Sequence, residues 1–247
     1  MRFFPVALIL FFFLQVSAFS SKEEQVMEKI IKNYSSFDSI KASIEQHVFY
    51  PDRSYHRLAG DYSATGAGLM RIDYYSPSRQ TVINNKDGLF WYYPESETVF
   101  VSRNSNMNNE SLPVFLKRAE KEAGDFFNLI YKGKKFHSFF KRAHVFDIEL
   151  KNKSTFRIWV DPEKGYILKR YFIDSKGMET VKELYSSYIK VNGILIPTEV
   201  EVHARTSNGI VRTLTQYSNV RVNDTVNPSD FVFKVKSFMK VRAFDEN

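Results

Sequence analysis

Residues 68–101 read GLMRIDYYSPSRQTVINNKDGLFWYYPESETVFV. Short apolar runs are separated by turn signals at Ser76-Pro77, at Asn84-Asn85-Lys86-Asp87-Gly88 and at Pro94-Glu95-Ser96-Glu97. Runs rich in β-branched and aromatic residues between such punctuation predict consecutive antiparallel strands. The middle run, Leu89-Phe90-Trp91-Tyr92-Tyr93, sets large rings on both faces of its strand. A half-buried strand alternates apolar and polar residues, so one face here can be core while the other requires a cover, a partner or an apolar ligand.

The flanking sequence extends the same architecture. Ile40, Ala42 and Ile44 alternate with Lys41, Ser43 and Glu45, and Arg57–Ser63 and Leu69–Tyr75 continue as strands. Ahead of them, residues 22–34 set Val26, Met27, Ile30, Ile31 and Tyr34 at helical spacing. Residues 102–112 are polar and turn-rich. Beyond Pro113, the apolar positions Phe115, Leu116, Phe126, Phe127 and Ile130 predict one or two short helices over 114–131, broken at Gly124. From His144 to Val235 alternation returns, with turns at 161–165, 174–177, 192–193 and 207–209. The expected fold is mainly β with α: a strongly curved antiparallel sheet, an unclosed half-barrel, whose concave face is covered by short lid helices.

Composition bounds the compartment. Arg2, an apolar run from Phe3 to Val16 and the small residues Val16-Ser17-Ala18 predict a signal peptide over residues 1–18, leaving one domain over 19–247. Cleavage after Ser20 and an uncleaved anchor are the alternatives. The chain has no cysteine, which excludes disulfides, thiol chemistry and a lipid anchor on an N-terminal cysteine. The expectation is an exported periplasmic protein that acts as a monomer. A net charge of +7 suits solubility or attraction to anionic surfaces, and no basic stripe points to nucleic acid.

Catalytic signatures are absent from the sequence. The histidines at 47, 56, 137, 144 and 203 share no metal-ligand spacing, so neither metal nor cofactor is expected. Carboxylate pairs such as Asp161/Glu163 and Asp224/Asp230 sit in turn sequences, where aspartate is ordinary turn chemistry. The reading is of a binding protein; a periplasmic hydrolase using scattered carboxylates is the alternative from another class.

The stretch Gly68-Leu-Met-Arg-Ile-Asp-Tyr74, followed by Pro77, Asp87-Gly88 and Leu89-Phe-Trp-Tyr-Tyr-Pro94, resembles the LolA-type lipoprotein carriers. Ser39-Ile-Lys-Ala-Ser-Ile-Glu-Gln46 is similar to the strand that follows that family's first helix, and Asn227–Phe233 to its closing strand. The resemblance implies a carrier that binds lipoprotein acyl chains in an apolar cavity and ferries them from inner to outer membrane. It implies a lining that includes Ile40, Ile44, Met70, Ile72 and Tyr74; on strand 89–93 alternation leaves open whether Trp91 and Tyr93 or Phe90 and Tyr92 face inward, and Trp91 and Tyr93 are the chosen candidates. The lid candidates are Phe115, Leu116, Phe126, Phe127 and Ile130. The implied partners are acylated lipoproteins or lipids, an inner-membrane lipoprotein-releasing ABC transporter and an outer-membrane acceptor. Many members carry a basic residue before a proline that latches the lid; the matching stretch here is Ala64-Thr65-Gly66-Ala67, and Arg71 is the candidate substitute. A carrier or sensor of another lipid or glycolipid is the second reading.

Overall fold

A computed structural model describes residues 25, 26, 29, 30, 33, 36–102, 127–138 and 141–244. Its strands are β1 (Ser39–Phe49), β2 (Tyr55–Thr65), β3 (Met70–Ser76), β4 (Gln80–Asn85), β5 (Gly88–Tyr93), β6 (Thr98–Ser102), β7 (Phe127–Ser138), β8 (Lys141–Leu150), β9 (Thr155–Val160), β10 (Ile167–Ile173), β11 (Glu179–Val191), β12 (Ile194–Thr206), β13 (Gly209–Val222) and β14 (Lys240–Ala243). They form one sheet in the order β14-β6-β5-β4-β3-β2-β1-β13-β12-β11-β10-β9-β8-β7. Neighbouring strands are antiparallel except β14 and β6, which are parallel. Tight turns account for most connections. At Asn192-Gly193 both residues adopt positive φ (49° and 86°), the twist a two-residue hairpin demands.

The sheet folds back on its own inner face. One apolar core gathers Ile40, Tyr62, Ile72 and Val82 from β1–β4 together with Phe146, Ile158, Phe172 and Ile194 from β8–β12. Among the described residues the terminal strands β14 and β7 each have a single neighbour, so the curve stays unclosed. Register shifts at Ala59/Gly60 and at Lys41/Ser43 supply local bends. Gly60 is required where it stands: a Cβ there would lie 2.5 Å from the Asp73 carbonyl oxygen and 2.8 Å from the Tyr74 Cα.

The cover at one end of the curve comes from the N-terminal segment. Gln25, Val26, Lys29, Ile30 and Asn33 are helical, and Val26 and Ile30 are buried in the core, as the apolar spacing of residues 22–34 predicts. Asn33 clasps β12 by donating from Nδ2 to the Leu195 carbonyl (3.4 Å) and accepting from the Leu195 N–H at Oδ1 (2.9 Å). The Lys29 side chain lies directly on Gly165, where an added Cβ would come within 2.7 Å of it. The helix therefore sits at the end that holds the β9–β10 and β11–β12 turns.

Two expectations need correction. Phe127 and Ile130, expected on a lid helix, lie in strand β7. The run Phe127-Asn-Leu-Ile-Tyr131 satisfies both helical and alternating patterns, and pairing decides: Leu129 and Tyr131 fall opposite Ile148 and Phe146 and pack on the core. Phe115, Leu116 and Phe126 lie outside the described residues. The expected closing strand at 227–233 is instead a 3-10 turn, Pro228–Phe231, followed by extended chain. Proline at the first turn position and the Asn227 side chain accepting from the Ser229 N–H favour that turn. The closing strand is β14, further on.

Candidate functional site

Directly paired residues in an antiparallel sheet share a face, so the register assigns every inner-face residue. Ala42, Tyr62, Ile72, Val82, Trp91 and Phe100 form one continuous row across β1–β6. Ile44, Gly60, Tyr74, Gln80, Tyr93 and Thr98 form the next. Ile40, Ala64, Met70, Asn84 and Leu89 form a third. The seven residues named from sequence, Ile40, Ile44, Met70, Ile72, Tyr74, Trp91 and Tyr93, thus share one face.

Burial is graded along these rows. Ile40, Ile44, Ile72 and Tyr74 are buried, whereas Met70, Leu89, Trp91, Tyr93 and Phe100 are only half-buried. An aromatic strip therefore lies partly open on β5–β6. Trp91 and Tyr93 stack with ring centroids 5.7 Å apart, and Phe100 meets Tyr93 edge-on at 5.8 Å. The Trp91 indole donates to Gln80 Oε1 at 2.9 Å, which fixes its plane. Phe244, just beyond β14, comes round the sheet edge to lie 6.0 Å from Trp91 and 5.7 Å from Phe100.

The opposite face of the same strand has its own cover. The Phe233 ring stacks on Phe90 at 5.2 Å and tilts against Tyr92 at 5.7 Å. Phe231 is buried, and its carbonyl accepts from Asn85 Nδ2 at 2.8 Å. Arg71 sits on this outer face, paired with Asp73 and donating from Nη1 to the Asp230 carbonyl at 2.8 Å. It fastens the C-terminal segment to the outside of the sheet, so it is no latch for anything on the inner face.

The inner face also carries polar groups that the sequence reading missed. The Tyr74 hydroxyl donates to Gln46 Oε1, and Gln46 Nε2 donates to Thr215 Oγ1 at 3.0 Å. Burial pushes the Tyr74 and Tyr217 hydroxyls far above the ordinary tyrosine value, with nearby tyrosines adding to the shift. Across the fold, Arg170 donates from Nε and Nη2 to the two Glu183 carboxylate oxygens at 2.7 and 2.8 Å. Arg170 is buried, and the Tyr185 hydroxyl also donates to Glu183. The signal was present: Arg170 shares strand parity with Phe172, a charge where an apolar residue is expected.

Two depressions, of about 510 and 440 Å³, lie on the outer surface rather than on this face. The larger is lined by Lys41, Arg71 and Arg221 with Asp61, Asp73 and Asp230, an environment for polar groups. Among the described residues, no group of His, Cys, Asp or Glu is arranged to hold a metal ion.

The profile of the family described as outer membrane lipoprotein carrier protein LolA matches residues 35–190, more than half of the chain. The chain belongs to the LolA family. Among curated proteins, none matches it at a significant level. Solved structures with the same fold include the LolA superfamily protein NE2245 from Nitrosomonas europaea, at TM-score 0.60 and 14% identity, covering 85% of this chain and 97% of that one. A DUF1329 family protein from Desulfovibrio piger aligns at TM-score 0.64 and 12% identity, over 86% of this chain and 98% of its own. A putative outer membrane lipoprotein-sorting protein domain from Vibrio parahaemolyticus aligns at TM-score 0.60 and 11% identity, over 85% and 97%. These likenesses establish the LolA fold: mostly β, one large curved and unclosed sheet.

Proposed function

We propose that this LolA-family protein is a periplasmic carrier that binds acyl chains on the inner face of its sheet. The observation that carries the reading is the strip of half-buried Leu89, Trp91, Tyr93 and Phe100, continuous with the buried core yet not filled by it. The cargo is an acylated lipoprotein or a free lipid. A triacyl group carries about 45 methylenes, each costing about 0.8 kcal/mol in water, so unassisted transfer through an aqueous compartment is negligible. Export through the 1–18 signal, with no cysteine to anchor the mature chain, puts the protein in that compartment. The lid expected around Phe115, Leu116 and Phe126, loading by an inner-membrane ABC transporter and delivery to an outer-membrane acceptor complete the scheme.

A second reading, a carrier of another lipid or glycolipid, is favoured by the polar groups on the same face, Tyr74–Gln46–Thr215 and Arg170–Glu183. Those groups suit an amphiphile whose headgroup enters with its chains. Mass spectrometry of material co-purifying with the periplasmic protein decides between them. Acylated peptides support the lipoprotein carrier and free lipids or glycolipids the second reading. A protein that is lipid-free and fails to bind a fluorescent fatty-acyl probe overturns both.

A further inference from the structure

The end of the sheet opposite the helix has a distinct surface. The β1–β2 tip (residues 50–54) and the β12–β13 tip (residues 207–208) project side by side, because β1 and β13 pair as far as Phe49 and Arg212. They brace each other: a Cβ at Gly209 would lie 3.0 Å from the Pro51 ring. Tyr50 and Tyr55 stand at one tip and Ile210 flanks the other, with Met178 on the adjoining β10–β11 hairpin. Each of these four keeps 37–51% of its surface exposed. Arg53 and Lys176 stand on these turns and Arg205 near the end of β12, and among the described residues none of the three forms an ion pair with a carboxylate.

We infer that this rim docks on the surface of a membrane containing anionic lipid, bringing the open end of the inner face against the bilayer. The inference rests on the carrier reading for its purpose but on its own observations for its chemistry. Exposed tyrosines beside arginines match the water–lipid interface, where an amphipathic ring is at home and cations meet lipid phosphates. The helix closes the far end of the curve, with Asn33 on Leu195 and Lys29 on Gly165. The rim also adjoins the aromatic strip: Tyr50 is close enough to Tyr93 that, after burial, it helps raise the Tyr93 hydroxyl above its usual value. Rings thus lead from the rim to Tyr93 and Trp91.

The test is co-sedimentation of the purified protein with vesicles of phosphatidylcholine alone and of equimolar phosphatidylcholine and phosphatidylglycerol. Binding is expected to the mixed vesicles and to weaken with added salt. The double variant Arg53→Glu/Arg205→Glu and the triple variant Tyr50→Ser/Tyr55→Ser/Ile210→Ser should each lose about tenfold or more in vesicle affinity. Neither should change binding of a fluorescent acyl probe in vesicle-free buffer, which shows that the variants are folded and the inner face is intact. Absence of wild-type binding to the mixed vesicles, or variants that bind as wild type does, overturns the inference and leaves a protein receptor as the docking partner. Vesicle binding by a protein that takes up no acyl probe supports the docking surface and overturns the carrier reading instead.

Discussion

Ile72 and Trp91 lie in one row of the inner face, yet replacing each with glutamate should separate them: one change costs the fold, the other only the binding. Ile72 keeps only 9% of its surface exposed, between Tyr62 and Val82 in the core. Ile72→Glu forfeits about 2–3 kcal/mol of side-chain burial. A carboxyl held there is expected to titrate about four units above its usual value of about 4.3, so at neutral pH the fold must keep it protonated, which at 1.36 kcal/mol per unit adds about 4 kcal/mol. That total rivals the whole stability of a typical domain, about 5–15 kcal/mol, so both the fold and acyl binding should collapse. The pH dependence has a definite sign. The folded-state pKa of the introduced carboxyl lies above the unfolded one, so its penalty is full above the folded value and shrinks as pH falls. Melting temperature relative to wild type should therefore recover between about pH 8 and pH 5. Trp91→Glu places its carboxyl on the half-open strip, where water reaches it, so the cost should be about 2–3 kcal/mol with acyl binding abolished. The assay pairs thermal melting across pH with titration of a fluorescent fatty-acyl probe. If Ile72→Glu melts as wild type does, or Trp91→Glu binds the probe unchanged, the division of this row into core and site is wrong.

Phe231→Ala should destabilise by about 3–5 kcal/mol, because this buried ring belongs to the C-terminal segment held against the sheet, while acyl-probe affinity holds because that segment covers the outer face; urea melts and probe titration check both. Gly60→Ala should cost about 3 kcal/mol or more by forcing a methyl into the backbone of β3, seen as a lower melting temperature and faster amide exchange in β2 and β3. Glu201 is held below the usual carboxylate range chiefly by its hydrogen bond from Arg212 and further by His203. A depressed pKa stabilises the folded state above the unfolded carboxylate value and loses that contribution as pH falls through the folded one, so Glu201→Gln should flatten the fall of melting temperature between about pH 5 and pH 3.

The alternation of Ile40, Ala42 and Ile44, the turn signals between residues 76 and 97 and the aromatic run 89–93 were enough to specify successive antiparallel strands and an excess of apolar strand surface. Those signals are local: period-two patterning and turn chemistry act between neighbours in the chain. The N-terminal helix was legible for the same reason, since its apolar stripe needs no partner to be recognised. The roles of the two faces of strand 89–93 were not, because Trp91 and Phe90 differ only in what the rest of the chain lays against them. Phe233, more than a hundred residues away, covers Phe90, while the register from Ala42 to Phe100 turns Trp91 inward. The same holds for Phe127-Asn-Leu-Ile-Tyr131, whose pattern permits helix or strand until β8 supplies Phe146 and Ile148 as partners. Arg170 and Glu183 became a buried pair only when β10 and β11 met. Sequence set the period of each segment; long-range pairing chose the partner, and with it the face that is core and the face left open to a ligand.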